Sequence, residues 1–445
     1  MKKTLLAVAV AVAAAAGVIA AVVVSSGNEE KPASPSTGVS SSPATSHGTR
    51  ATTSTDPART TALSATAPVD TSSVRLPPAP GPNSPRRRTL IVGVVDDALA
   101  QQSWGFARAQ TDVSRNAGFD AAVVSATWRR GQRRPPARLV RVLRNVAAAT
   151  RRANMKPFVV VWHGFAHNTP RTPSERADFA AFCAAVVKAL PTVRNVIVGN
   201  EPNLDTFWKP QFGAGTRDLA ALNYMDLLGR SYDAIKAVDP GVRVLGGSLA
   251  PRGADRPNGS RPTHSPTAFI RDLGAAYRSS GRGRPLMDAF AIHPYMGASR
   301  FSPDVPHPKN TSITLADYPK VVALLNEAFK GTKQRGATLP IYYTEFGVQT
   351  RVPPNKLRFY SDEESPERTD GVGFEQQAAY YRRALALAYC QPTVRGIFVF
   401  HTFDEADFAG WQSGLYFADR TPKPSLPAFK GAVADLRSGR LTACR

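Results

Sequence analysis

The chain has 445 residues, 42% of them apolar, and a formal charge of +22. That length suits one large domain or two ordinary ones, and the apolar share is enough for a real core, which excludes a wholly disordered chain. The positive balance fits an anionic cell-wall polymer or a membrane surface, but no RNA- or DNA-binding motif surrounds the densest runs, Arg86-Arg87-Arg88 and 129–141, so no nucleic-acid partner is expected.

At the N-terminus, Lys2 and Lys3 precede an uncharged apolar run from Leu5 to Val24. A secretory core usually has about 7–15 residues and a membrane span about 20. The run reaches spanning length but is rich in alanine, so residues 1–24 read as an export signal or an uncleaved anchor. Residues 25–86 are rich in Ser, Thr, Pro and Ala, with few large apolar side chains. Such a segment cannot bury enough surface to offset its chain entropy, and a disordered tether is expected. The expected location is outside the cytoplasmic membrane, either secreted or anchored.

From residue 87 to 445 short apolar runs alternate with helical patterns. Strands are expected at 90–95, 119–126, 157–163, 194–199, 242–247, 287–292, 339–345 and 394–402. Helices are expected at 100–117, 136–152, 172–189, 216–238, 265–279, 315–330, 373–389 and 425–438. Thr172-Pro173-Ser174-Glu175 has the form of a capping box with proline at the first helical position. Eight strand–helix units over about 350 residues predict a single (β/α)8 TIM barrel. An open doubly wound sheet is the rival, but VGVVDDALAQQS after the first strand is not a glycine-rich phosphate loop, and no nucleotide cofactor is expected.

Active sites of such barrels lie at the C-terminal ends of the strands. Asp96 and Asp97 sit there after the first strand, and Thr127, Trp128 and Arg129 after the second. Trp162-His163 end the third, Asn200-Glu201 follow the fourth, and His293-Pro294-Tyr295 follow the sixth. Glu345 ends the seventh; His401, Phe403, Asp404 and Glu405 come from the eighth, with Trp411 beyond. His163 and His167 have a helical metal-ligand spacing but follow a strand, so no metal is expected. Cys183 lies in an apolar helical pattern and reads as a buried thiol. Cys390 and Cys444 both belong to the opposite, N-terminal rim and are candidates for a disulfide.

Glu201 and Glu345 are far apart in sequence yet face one cup in such a barrel. Glycoside hydrolysis needs two carboxyl groups flanking the scissile bond, one protonated and one ionised. A separation of about 5–5.5 Å goes with retention and roughly 6.5–9.5 Å with inversion. GNEPNLDTFW (199–208), AIHPY (291–295), TEFG (344–347) and GLYFADRTPKPSLPAF (414–429) resemble segments of clan A retaining glycoside hydrolases, nearest to the xylosidase-type family 39 or the cellulase-type family 5. The resemblance spans about residues 89–437. It implies Glu201 as acid/base and Glu345 as nucleophile. It also implies that Asn200 bonds a sugar 2-hydroxyl, that Tyr295 donates to Glu345, and that His293 lines the adjacent subsite. His163, Trp162, Trp128 and Trp411 are further substrate-binding candidates. Trp411 is the candidate to replace the tryptophan that often ends the eighth strand of such enzymes, where this chain has FVFHTFDE.

The expected function is therefore an exported retaining glycosidase acting on a poly- or oligosaccharide. A barrel that binds glycan without cleaving it, or adheres to a cell wall, is the alternative. Arginines in the loops 250–265, 296–314 and 348–372 would suit acidic sugars.

Overall fold

The computed structural model describes residues 90–100, 103–214, 218–361 and 371–441, with short pieces at 66–72, 76 and 79. The expected signal or anchor and most of the expected tether lie outside the described residues. Part of that tether is described: Arg271 donates to the Ala67 and Pro68 carbonyls, and Val69 packs against the core. No helix among the described residues is long and apolar enough to cross a membrane.

Eight strands close into a parallel barrel in sequence order. They are β1 (Ile91–Val95), β2 (Ala121–Thr127), β3 (Lys156–Trp162), β4 (Asn195–Val198), β5 (Arg243–Leu249), β6 (Ala289–Ile292), β7 (Ile341–Phe346) and β8 (Val394–Phe400). β8 returns to β1 along an unbroken register from Ile91↔Gly396 to Val95↔Phe400, which completes the closure. The helices α1 (Trp104–Ala117), α2 (Ala137–Arg152), α3 (Pro173–Ala189), α4 (Leu219–Val238), α5 (Pro266–Ser279), α6 (Tyr318–Phe329), α7 (Phe374–Cys390) and α8 (Leu426–Ser438) alternate with them. A (β/α)8 TIM barrel is what this topology is called. The helix expected from residue 100 is divided, since a 3-10 turn at Asp97–Ala100 precedes α1.

Period-two alternation divides each strand between two apolar layers. Ile91, Val123, Phe158, Ile197, Leu245, Tyr342 and Phe398 fill the lumen. Their neighbours along each strand, such as Val92, Val124, Val159 and Val196, join the larger layer beneath the helices. Phe158 and Phe398 meet edge to face at 5.0 Å across the lumen. That ring needs Gly93 opposite, because a Cβ there would lie 2.2 Å from Phe398 Cδ1. α3 starts at the expected box: Thr172 Oγ1 accepts from Glu175 N at 3.1 Å, and Glu175 Oε2 accepts from Thr172 N at 2.9 Å.

Cys183 is buried and free, and burial pushes its thiol up to about 12. Cys390, the last residue of α7, is disulfide-bonded. Cys444 lies outside the described residues.

Candidate active site

The C-terminal ends of the strands surround a cup of about 490 Å³, within the usual range for ligand pockets. β4 delivers the first carboxylate by a sharp turn. Gly199 has φ of +86°, and a Cβ there would approach Tyr224 Cε2 to 2.9 Å. Tyr224 stands behind this turn, donating to Val198 O at 2.8 Å and accepting from Gly247 N at 2.8 Å. Glu201 itself has φ of +40° and donates its N–H to Ser248 O at 2.8 Å. Ser248 and His401 also have positive φ, at +50° and +78°. Left-handed backbone costs about 1–3 kcal/mol per non-glycine residue, and clusters of it mark sites where side-chain aim outweighs local stability.

Glu345 belongs to β7 and faces Glu201 across the rim. A carboxylate oxygen of each lies within 4.8 Å of the other. His293 bridges them: its Nδ1 is 3.0 Å from Glu201 Oε1 and 3.4 Å from Glu345 Oε2. Its Nε2 is 3.0 Å from Ser248 Oγ, which fixes the ring. Tyr295 donates its hydroxyl to Glu345 Oε2 at 3.1 Å. Burial pushes the Glu345 carboxyl up, to about 7; His293 and Tyr295 oppose that rise and the Glu201 charge adds to it. Burial alone would lower the His293 imidazole, but Glu345 and Glu201 outweigh it and the group is raised. Burial, then the two carboxylates, raise the Tyr295 phenol well above its usual range, so it stays a donor.

Asn200 lines the cup, as do Trp162 and His293. Trp411 is half-buried with its ring 4.7 Å from that of Tyr295 and 5.5 Å from Phe400. A pair of bonds with Glu405 closes its loop: Trp411 N donates to Glu405 Oε2 at 2.7 Å and Glu405 N to Trp411 O at 3.0 Å. Trp411 thus backs Tyr295, on the side of the cup where the eighth strand supplies no tryptophan.

Two expected binding residues lie elsewhere. Trp128 is fully buried, donates Nε1–H to Gln132 O at 2.6 Å and packs on Phe179 of α3. His163 is 2% exposed, with Nε2 2.6 Å from Phe207 O and its ring edge-on to Trp208. The reason is strand parity. Val123 and Ser125 on β2, and Val160 and Trp162 on β3, face the cup, so by alternation every second residue counted from them does too. Trp128 and His163 fall on the outward parity and pack beneath the helices. Burial lowers His163 to about 4, so it is a neutral, hydrogen-bonded core residue. No arginine of these loops is in the cup lining among the described residues.

The sequence reading places Asp96, Asp97 and Glu405 at the rim without giving them a role, and does not identify Ser248, Asn203 or Thr344. Asn203 ties the turn carrying Glu201 to the β5–α5 loop: its Nδ2 donates to His264 O at 3.0 Å, and its Oδ1 accepts from Ala250 N at 2.9 Å. Among the described residues, two groups of side chains have ligand-type donors close enough to hold a metal: Glu201, His293 and Glu345, and Asp218, His264 and Asp272. In the first, His293 already fills the space between the carboxylates. In the second, Asp218 caps α4 through Ala221 N at 2.7 Å and approaches His264 Nε2 at 3.2 Å.

No family model matches the sequence, and no curated protein matches it closely. Solved structures do resemble it. A GH5_18 protein of Streptomyces cattleya, solved in complex with GlcNAc, superposes with a TM-score of 0.51 at 18% identity, covering 79% of this chain and 81% of that one. A GH5-4 broad-specificity endoglucanase of Clostridium longisporum gives 0.51 at 12% identity, covering 80% and 97%. A Bacteroides uniformis β-glucuronidase gives 0.49 at 13% identity; the match covers 78% of this chain but only 35% of that one, so this chain spans about a third of that relative. At these identities the likeness to the first two is one of fold, that of the closed eight-stranded parallel barrel.

Proposed function

We propose that the protein is an exported glycoside hydrolase that cleaves O-glycosidic bonds of a poly- or oligosaccharide with retention, by double displacement. The observation that carries this reading is the facing pair Glu201 and Glu345, whose nearest carboxylate oxygens lie within 4.8 Å. That approach is compatible with the close spacing of retaining enzymes. The apolar N-terminal run supports export.

Glu201 serves as acid and then base. Protonated, it gives its proton to the leaving glycosidic oxygen as Glu345 attacks the anomeric carbon. A covalent glycosyl–Glu345 ester results. Glu201, now ionised, takes a proton from water, and the water oxygen displaces Glu345. Tyr295 holds Oε2 of Glu345 and leaves Oε1 to attack. His293, beside both carboxyls, opposes the burial that raises Glu345 and so favours the ionised form that attacks. Asn200, lining the cup, is placed to meet a sugar hydroxyl.

The test is hydrolysis of a panel of aryl β-glycosides (xyloside, glucoside, mannoside, galactoside, arabinoside) by the protein beside its Glu201→Gln variant. Loss of turnover that is larger for poor leaving groups than for activated ones supports Glu201 as the acid. Equal rates in the two proteins contradict it.

A further inference from the structure

A chain with a formal charge of +22 has an acidic cup. Its described lining includes Asp96, Asp97, Glu345, Asp404, Glu405 and Asp407, and no lysine or arginine. Asp404 is neutralised from behind by Lys423, at 2.7 Å with both side chains fully buried. Glu345 belongs to the reacting pair. Asp96, Asp97, Glu405 and the half-buried Asp407 remain, and their hydrogen bonds come from neutral groups: backbone N–H of Ala98 to Asp96 Oδ1 at 3.1 Å, of Ser125 to Asp97 Oδ1 at 2.7 Å, of Trp411 to Glu405 Oε2 at 2.7 Å and of Ala409 to Asp407 Oδ1 at 2.8 Å, with the Thr402 and Ser125 hydroxyls beside Asp96 and Asp97. Asp96 Oδ2 has no partner among the described residues, although Asp96 is only 2% exposed. Trp162 Nε1 and Thr344 Oγ1, on other strands of the same lining, are also buried without partners.

Carboxyl groups buried without a counter-charge are costly, and a ligand that brings the missing charge offsets that cost. Burial pushes Asp96 up to about 6 and Glu405 up to about 7, and a cation brought beside them would favour their ionised forms. The indole N–H and the threonine hydroxyl are donors or acceptors suited to sugar hydroxyls, so the complementary ligand is a sugar that also carries a positive charge.

We propose that the cup recognises a glycan containing amino sugars with the amine free, the ammonium group being received by Asp96 together with Asp97 and Glu405. This rests on the glycosidase reading and names its substrate class. N-acetylation removes the charge and adds bulk, and a uronic acid brings a second negative charge into an acidic cup, so both are disfavoured.

The experiment uses the full chain and matched oligosaccharides: β-linked glucosamine and galactosamine oligomers, their fully N-acetylated counterparts, and neutral glucose and galactose oligomers. Binding is measured by calorimetry on Glu345→Gln, and hydrolysis on the unaltered protein. A charge-assisted contact predicts that a free-amine oligomer binds about 10- to 100-fold more tightly than its acetylated counterpart, with the preference shrinking as salt rises. In Asp96→Asn and, separately, Glu405→Gln, the ratio of amine to acetyl binding should fall toward one. Tighter binding of the neutral or acetylated oligomers, or no binding of any amine oligomer, overturns the proposal. So does a preference unchanged in both variants, which would mean that the two carboxyls act as neutral donors. Cleavage of neutral oligomers without amine preference would overturn this inference and leave the glycosidase reading standing. Amine-dependent binding without cleavage would do the reverse.

Discussion

Replacing Glu345 by glutamine should stabilise the protein while stopping turnover. The carboxyl is largely buried, 12% exposed, and sits beside Glu201, and its proton is held up to about 7 against an ordinary value of 4.5. A carboxyl raised in the folded state favours folding below its unfolded value, about 4.5, and that contribution is lost as pH rises through about 7. Above that pH the fold carries an ionised group in a dry place. The gap, at about 1.4 kcal/mol per pH unit, amounts to about 3 kcal/mol. Glutamine keeps the shape and an acceptor for Tyr295 but has no charge to bury. It also gives up the attraction to His293, so about 3 kcal/mol is an upper figure. Denaturant unfolding of both proteins at pH 5 and pH 8 tests this. The variant should gain little at pH 5 and most of the increment at pH 8, with a rise of a few degrees in Tm there. A variant that is less stable at pH 8, or a difference independent of pH, would refute the reasoning.

Tyr295→Phe removes the donor to Glu345 Oε2 and should lower kcat about 100-fold with a smaller change in KM, measured on the best aryl glycoside. Gly199→Ala forces an L side chain to φ of +86° against Tyr224 and should cost about 1–3 kcal/mol in chemical denaturation; an unchanged midpoint would mean that the turn before Glu201 is not strained. Lys423→Met leaves Asp404 buried without its counter-charge and should destabilise by about 3–5 kcal/mol, with Asp404→Asn in the same chain recovering part of the loss.

The barrel was legible because each strand carries its own signal, a short apolar run that ends where charged or aromatic residues begin. The Glu201–Glu345 pairing followed from that, since β4 and β7 ends face one cup in a closed eight-stranded barrel. Parity is where the sequence reading failed. Trp128 and His163 lie at strand ends, but one residue past an inward position, and so pack outward. Counting alternation back to Ser125 and Val160 would have shown this. Ser248 was hidden by a shift in the β5–β6 register between Gly247 and Leu249, which turns its backbone to φ of +50° and its hydroxyl toward His293. Asp96, Asp97 and Glu405 were visible at the rim as acidic residues. That no described lysine or arginine pairs with them was not, because in a chain with 56 lysines and arginines only the fold tells which faces those side chains occupy.

Chemical rescue of a Glu345→Gly variant tests the catalytic pair most directly. On the aryl β-glycoside that the unaltered protein cleaves fastest, the variant should be inactive alone. Azide should restore release of the aryl group and give a glycosyl azide of inverted, α configuration, because the small anion fills the space of the lost carboxylate. Undiminished hydrolysis by Glu345→Gly, with no azide adduct, would contradict a covalent role for Glu345 and the double displacement with it.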